Sequence, residues 1–332
     1  MKLCTFAIQT PLGEVRRIGV VDDSDGDARI VDATAARIAF LESSLSPEAA
    51  ARVGAAQVPP DMLALIGSGA QALDWVREAI AALRGGDRRA TRQGMALAHA
   101  ADGVRLLAPI PRPPGIACFI TWSAHVDDAQ EKGYTMLNFP ARGSDMRAYY
   151  KAVPTSVEGP GTTIPRPPYA AETDVECELA AVIGVGGRDL SPEEARRAIV
   201  GYTIFNDVSY REIQLKEMKF GLGPTKGKDA DQSNVLGPWL VTADEVGDAQ
   251  DLTMSFVVNG REINNYHTSR MAWDFADLVA YLSKGQTLYP GQIVTSGSYP
   301  GGSGLDAGIK LKPGDKVAMN IERLGSLVST LG

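Results

Sequence analysis

The run Val175-Glu176-Cys177-Glu178-Leu179-Ala180-Ala181-Val182-Ile183 constrains this chain more than any other segment. Apart from its acidic pair it is continuously apolar, the pattern of a strand covered on both faces. Strand period two turns Glu176 and Glu178 to the same face. Two ionised carboxylates side by side in a buried sheet lose hydration and repel each other, at a cost of several kcal/mol per ion unless compensated. Either this is an edge strand whose polar face meets water, or a divalent cation sits between the carboxylates. Asp207 favours the cation, because Tyr202-Thr203-Ile204-Phe205-Asn206-Asp207 returns as a second apolar strand after one short helix and ends in a third carboxylate. Hard oxygen ligands of this kind select Mg²⁺, Mn²⁺ or Ca²⁺ over Zn²⁺.

The remaining composition agrees with a carboxylate-built site. The three histidines, His99, His125 and His267, are too few for a histidine-built one. Cys4, Cys118 and Cys177 lie far apart with no CxxC pair, so neither a disulfide framework nor a thiolate zinc site is expected. With 40 acidic against 33 basic side chains and a formal charge of −7, the chain has the wrong sign for nucleic acid or an anionic membrane surface. A hydrophobic fraction of 44% over 332 residues is enough to bury a core without staples. The N-terminal MKLCTFAIQTPLGEVRR lacks the apolar run of about 7–15 residues of a signal peptide, and nothing approaches the roughly 18 residues of a membrane span. The expectation is a soluble cytoplasmic protein.

The chain divides at Pro109-Ile110-Pro111-Arg112-Pro113-Pro114, where the prolines exclude helix or central strand. Before it, alternation about Pro11-Leu12-Gly13-Glu14 predicts a hairpin. Helical spacing of Ile38, Leu41, Met62, Leu65, Ile66, Leu73, Val76 and Ile80 predicts helices. Residues 1–108 are therefore expected to form a small α/β leader domain, and 109–332 a strand-rich α+β body. In that body Ser191-Pro192-Glu193-Glu194 predicts a capped helix ending at Gly201, and Trp273 to Leu282 a second helix. The Gly- and Pro-rich stretch from Glu131 to Pro168 predicts long loops, a lid or binding loop.

Other residues carry chemistry beside simpler readings. A phosphate loop ending at Gly227-Lys228 would need Gly at 222 and Ser or Thr at 229, where the chain has Leu222 and Asp229. Lys226 and Lys228 then belong either to a solvated turn or to a site of another kind. A dinucleotide fingerprint at Gly184 to Gly187 fails because its third glycine would fall at Asp189. His125 follows the strand Gly115 to Thr121, with Asp128 one helical turn later; such a pair is either a general base with its orienting carboxylate or a structural histidine. Backbone N–H groups at Gly297 and Ser298, after the strand Gln292-Ile293-Val294, would face an oxyanion or simply close a turn.

Taken together, Asp174 to Leu179, Val182-Ile183-Gly184, Gly201-Tyr202-Thr203, Asn206-Asp207-Val208-Ser209, Arg211 and Gln214 resemble the core signature of the fumarylacetoacetate hydrolase family. Lys228 to Asp231, Gly237-Pro238-Trp239, Leu288-Tyr289-Pro290-Gly291, Ser296-Gly297-Ser298 and Lys312-Pro313-Gly314-Asp315 extend the match in order over about residues 108 to 330. The resemblance implies a mixed β-sandwich roll, usually a homodimer, with Mg²⁺ or Mn²⁺ held by Glu176, Glu178 and Asp207. It implies a 2-oxo acid or 1,3-dicarbonyl substrate, Lys228 near a developing enolate, His125 as the catalytic histidine, and Lys151, Arg211 and Gln214 against substrate. Where the family's hydrolases show Asn-Tyr-x-x-His-x-x-Glu, this chain has Thr121, Trp122, His125 and the shorter Asp128, for which Glu131 is a possible substitute. The expected activity is metal-dependent hydrolysis of a C–C bond in an acylpyruvate-like 2-oxo acid through an enolate. Alternatives are dehydration of a 2-oxo-3-deoxy sugar acid, decarboxylation or isomerisation on the same scaffold, or a non-catalytic metabolite-binding protein. Substrate choice is expected to lie in the loops from Tyr134 to Tyr150 and around His267.

Overall fold

A computed structural model describes residues 1–23, 28–84, 86–131 and 146–332; the side chains of Asp128 and Ala129 lie outside the description. The described residues form two compact units, Met1–Ile110 and Pro111–Gly332.

In the N-terminal unit, β1 (Lys2–Thr10) and β2 (Gly13–Asp22) make the antiparallel hairpin that the alternation predicts, turning at Pro11 and Leu12. Strands β3 (Arg29–Asp32) and β4 (Ala98–Ala100) extend it beyond β2, and β5 (Arg105–Leu107) pairs with β1. Between β3 and β4 come α1 (Ala33–Leu41), α2 (Pro47–Gln57), α3 (Met62–Gly67) and α4 (Ala70–Leu83). Asp32 starts α1 by accepting from the Ala35 N–H at 2.8 Å, and it also meets Arg17 Nε at 2.7 Å.

The C-terminal unit carries β6 (Ile116–Phe119), α5 (Ser123–Glu131), β7 (Tyr149–Ala152), β8 (Val157–Glu158), β9 (Thr163–Ile164), β10 (Cys177–Ile183), α6 (Pro192–Ala198), β11 (Ile199–Asp207) and α7 (Arg211–Glu217). There follow β12 (Asn234–Thr242), α8 (Ala243–Val246), β13 (Thr253–Val258), β14 (Arg261–His267), α9 (Phe275–Ser283), β15 (Ile293–Thr295), α10 (Gly304–Ala307), β16 (Lys316–Ile321) and β17 (Gly325–Leu331). One sheet runs β12-β11-β10-β15-β6-β7, mixed because β15 and β6 are parallel; the other runs β14-β13-β16-β17-β9. Cys177, Leu179, Ala181 and Ile183 of β10 share one core with Phe256, Val317, Met319 and Leu327 of the second sheet and with Phe275, Leu278 and Val279 of α9. This is the mixed α+β sandwich that the sequence implies. Among the described residues no helix is long and apolar enough to cross a membrane.

Two expectations are corrected. The helix that opens with the capping box of Ser191 and Glu194 stops at Ala198, and Gly201 already lies in β11. Gly201 is there for close approach: a Cβ on it would stand 2.2 Å from the Val241 carbonyl oxygen of the neighbouring strand. The stretch from Glu131 to Pro168 is not all loop, since β7, β8 and β9 fall inside it. Of the loop assigned to substrate choice, residues 132–145 lie outside the described residues.

Candidate metal centre and active site

Strand β10 lies between β11 and β15, so the carboxylates are not on an edge strand. The antiparallel register pairs Cys177 with Asn206 and Glu178 with Phe205, and the Asp207 N–H donates to the Glu176 carbonyl at 3.1 Å. Opposed residues of an antiparallel pair point to one face, so Asp207 joins Glu176 and Glu178 on the face away from the shared core. All three are buried, and one oxygen from each lies within 4.8 Å of the others.

The carboxylates are compensated from several segments. The Lys228 ammonium lies 2.6 Å from Glu176 Oε2 and 2.8 Å from Asp207 Oδ2. Arg211, opening α7, meets Glu176 Oε1 and Asp174 Oδ2, each at 2.7 Å. The Tyr150 hydroxyl of β7 donates to Asp207 Oδ2 at 2.7 Å. Register with β15 brings the Thr295 hydroxyl to Glu178 Oε2, and the Gly297 N–H donates to the same oxygen at 3.2 Å. Burial works against ionisation throughout, yet Arg211 and Lys228 overcome it at Glu176 and hold that carboxyl well below the usual range. Glu178 is pushed well above its range by burial and by Asp207 and Glu176. Asp207 is also raised, chiefly by burial, which Lys228 only partly offsets.

The residues present fit a divalent cation. The donors are all hard oxygens, and Asp207 Oδ1 is buried with no hydrogen-bond partner. Asp207 as a whole is only 1% exposed, so water from bulk does not satisfy that oxygen.

These groups open into a cavity of about 550 Å³ whose wall also includes His125, Lys151, Gln214, Gly297 and Ser298. The structure thus brings together Glu176, Glu178, Asp207, Lys228, His125, Lys151, Arg211, Gln214, Gly297 and Ser298. Two pairings were not foreseen. His125 Nδ1 lies 2.7 Å from Asp306 Oδ2, so a carboxylate on α10 holds one of its ring nitrogens. The Asp128 side chain lies outside the described residues, and Glu131 is exposed at the end of α5. Burial depresses the His125 pKa, but the Asp306 hydrogen bond and charge reverse this and leave it above the usual value. The Gly297 N–H, expected to face an oxyanion, is instead committed to Glu178. Gly297 has φ of 75°, and a Cβ there would stand 2.3 Å from the Phe119 carbonyl oxygen, so only glycine brings this turn against the carboxylate.

Sequence reasoning missed Asp306, Tyr150 and Thr295. The only local signal for Asp306 was Ser303-Gly304-Leu305-Asp306, a helix-start pattern, and Ser303 does accept from the Asp306 N–H at 3.0 Å.

Comparison with known proteins agrees with this geometry. The fumarylacetoacetate (FAA) hydrolase C-terminal family matches residues 117–332. A 2,4-didehydro-3-deoxy-L-rhamnonate hydrolase of Sphingomonas sp. (strain SKA58) is 41% identical over 174 residues, covering 52% of this chain and 60% of that protein, less than two thirds of its length. The mitochondrial oxaloacetate tautomerase Fahd2a of Rattus norvegicus is 34% identical over 227 residues, 68% of this chain and 69% of that protein. A crystal structure of maleylpyruvate hydrolase from Sphingobium sp. SYK-6, in complex with manganese(II) and pyruvate, has the same fold, with a TM-score of 0.68 at 24% identity over 100% of this chain and 98% of that one. With the carboxylate triad, its cation partners and the matched sequence in agreement, the chain belongs to the fumarylacetoacetate hydrolase family.

Proposed function

We propose that the protein is a divalent-metal-dependent hydrolase that cleaves the C3–C4 bond of a 2,4-dioxo acid to a carboxylic acid and pyruvate. The observation that carries this reading is the His125–Asp306 pair, held at 2.7 Å, whose histidine lines the same cavity as the carboxylates. Glu176, Glu178 and Asp207 would hold Mg²⁺ or Mn²⁺, which when bound supplies Lewis-acid polarisation of a keto oxygen.

The chain's own residues account for the remaining steps. Asp306 on Nδ1 fixes the tautomer of His125 and leaves Nε2 to accept a proton from water. The hydroxide so formed adds to the C4 carbonyl, the C3–C4 bond breaks, and its electron pair passes to the departing enolate of pyruvate. Lys228 stays protonated, because Asp207 and Glu176 outweigh its burial, and its charge would stabilise that enolate. His125, now an imidazolium, is positioned to return the proton to C3.

A second reading, keto–enol tautomerisation of a 2-oxo acid, is favoured by the similarity to the rat tautomerase. It moves one proton and needs no water. Turnover of acylpyruvates with Mn²⁺ in ¹⁸O-labelled water separates the two readings. Hydrolysis places one labelled oxygen in the new carboxylate; enol–keto interconversion without acid release would overturn the hydrolase reading.

A further inference from the structure

One stretch of the cavity wall carries no ionisable side chain. Met218, Leu222, Gly223, Pro224 and Thr225 follow α7 and line the cavity. Leu222 is 86% exposed although it lines the cavity, which puts it at the mouth; Phe220 beside it is 81% exposed. A large apolar side chain left in water at the rim of a site is a surface for an apolar ligand group.

The loop is also built to hold its shape. The Glu217 carboxylate accepts from the Thr225 N–H at 2.6 Å, from the Thr225 hydroxyl at 2.7 Å and from the Gly227 N–H at 2.9 Å. That clasp closes the segment on itself, with Gly221 and Gly223 turning at φ of 74° and 82°. It engages the Thr225 hydroxyl, the one side-chain donor in the segment's cavity lining, and it fixes the chain immediately before Lys228.

We propose that Met218, Leu222 and Pro224 form a distal subsite for an apolar acyl group, so that the substrate class is a 2,4-dioxo acid bearing an aliphatic or aryl tail rather than a hydroxylated or second acidic one. This rests on the 2,4-dioxo acid reading above. The dioxo acid end goes to the charged side of the cavity, among Arg211, Lys228 and the carboxylates, and the tail leaves past the Glu217-clasped loop.

The test is a series of straight-chain acylpyruvates from acetylpyruvate to octanoylpyruvate, with Mn²⁺, on the wild-type protein and on Met218→Thr/Leu222→Ser. Each methylene buried on the subsite is worth about fourfold. The wild type should therefore gain about fourfold in kcat/KM per methylene over the first few, and the variant should lose most of that slope. A flat wild-type series, a preference for hydroxylated tails, or an unchanged slope in the variant would overturn the subsite while leaving the hydrolase reading in place. If no acylpyruvate turns over, the hydrolase reading fails, and calorimetric titration of straight-chain 2-oxoalkanoates with Mn²⁺ decides the subsite: tighter binding with length upholds it, length-independent binding overturns it.

Discussion

Lys228→Met isolates the electrostatics of the site from its packing, because methionine keeps the length and most of the volume of the lysine stem. Lys228 is 4% exposed, and its ammonium compensates two buried carboxylates at 2.6 and 2.8 Å. Removing one partner of a buried pair costs about 3–5 kcal/mol, since the remaining charge is left uncompensated. Two features of this site place the cost at the lower end. Arg211 still holds Glu176 at 2.7 Å, and Asp207 and Glu178, both already raised, can take up protons instead of standing ionised. At about 3 kcal/mol, with about 2–4 °C per kcal/mol for a domain of this size, Tm in EDTA should fall by about 6–12 °C.

The metal narrows the difference. A cation among Glu176, Glu178 and Asp207 competes with the Lys228 charge, so the variant should bind Mn²⁺ more tightly than the wild type. At about 100 times its Kd, Mn²⁺ stabilises a protein by about 2.7 kcal/mol, and each tenfold advantage in affinity gives the variant about 1.4 kcal/mol more than the wild type gains. Calorimetric melting of both proteins in EDTA and in Mn²⁺ measures both effects. A variant with an unchanged Tm in EDTA, or a Mn²⁺ shift smaller than that of the wild type, would refute the account of the three carboxylates as one cation site balanced by Lys228.

Asp306→Asn should lower kcat for hydrolysis by about 10²–10⁴-fold, the range expected when a general base loses its function. On the proposed mechanism neutral His125 is the base and Asp306 raises its pKa, so activity is lost as pH falls through that pKa; the Asn variant should carry its acid limb at lower pH, and a pH–rate profile with an unmoved limb would count against the pair. Gly297→Ala places a Cβ 2.3 Å from the Phe119 carbonyl oxygen at φ of 75°, which should cost about 2–4 kcal/mol and, by shifting the Gly297 N–H off Glu178, weaken Mn²⁺ binding; melting and metal titration of the variant check both.

The carboxylate triad was legible because it depends on local rules: period two within one apolar strand, and one short helix between that strand and the next. The partner of His125 was not. Asp306 lies 181 residues away, and only the placement of α10 brings it to the ring, whereas Asp128 sits at the helical spacing that suggests a partner. The turn at Ser296 to Ser298 was correctly seen as a place where backbone N–H groups are presented, but sequence does not say to which anion. The nearest one is the protein's own Glu178. Tyr150 went unread because β7 sits within a stretch whose glycines and prolines suggest loop. Gly201 shows the same ambiguity: a glycine after a helix serves as a C-cap unless the next strand needs it for close approach, and here the strand does.

The site's charge balance explains why so many segments converge on it. Three buried carboxylates are compensated by two cationic side chains, two hydroxyls and one backbone N–H, drawn from α7, the loop before β12, β7, β15 and the turn after it. These contacts cover Glu176 most fully, which is why it alone is held ionised well below the usual range. Glu178 and Asp207 are left with raised pKa values, and Asp207 with one buried oxygen unpartnered. The deficit is positive charge, and it falls on Glu178 of β10 and Asp207 of β11. A divalent ion would supply what the protein's own cations leave out, and the same bonds that make the fold tolerate this acidic cluster hold the three carboxylates together where such an ion would sit.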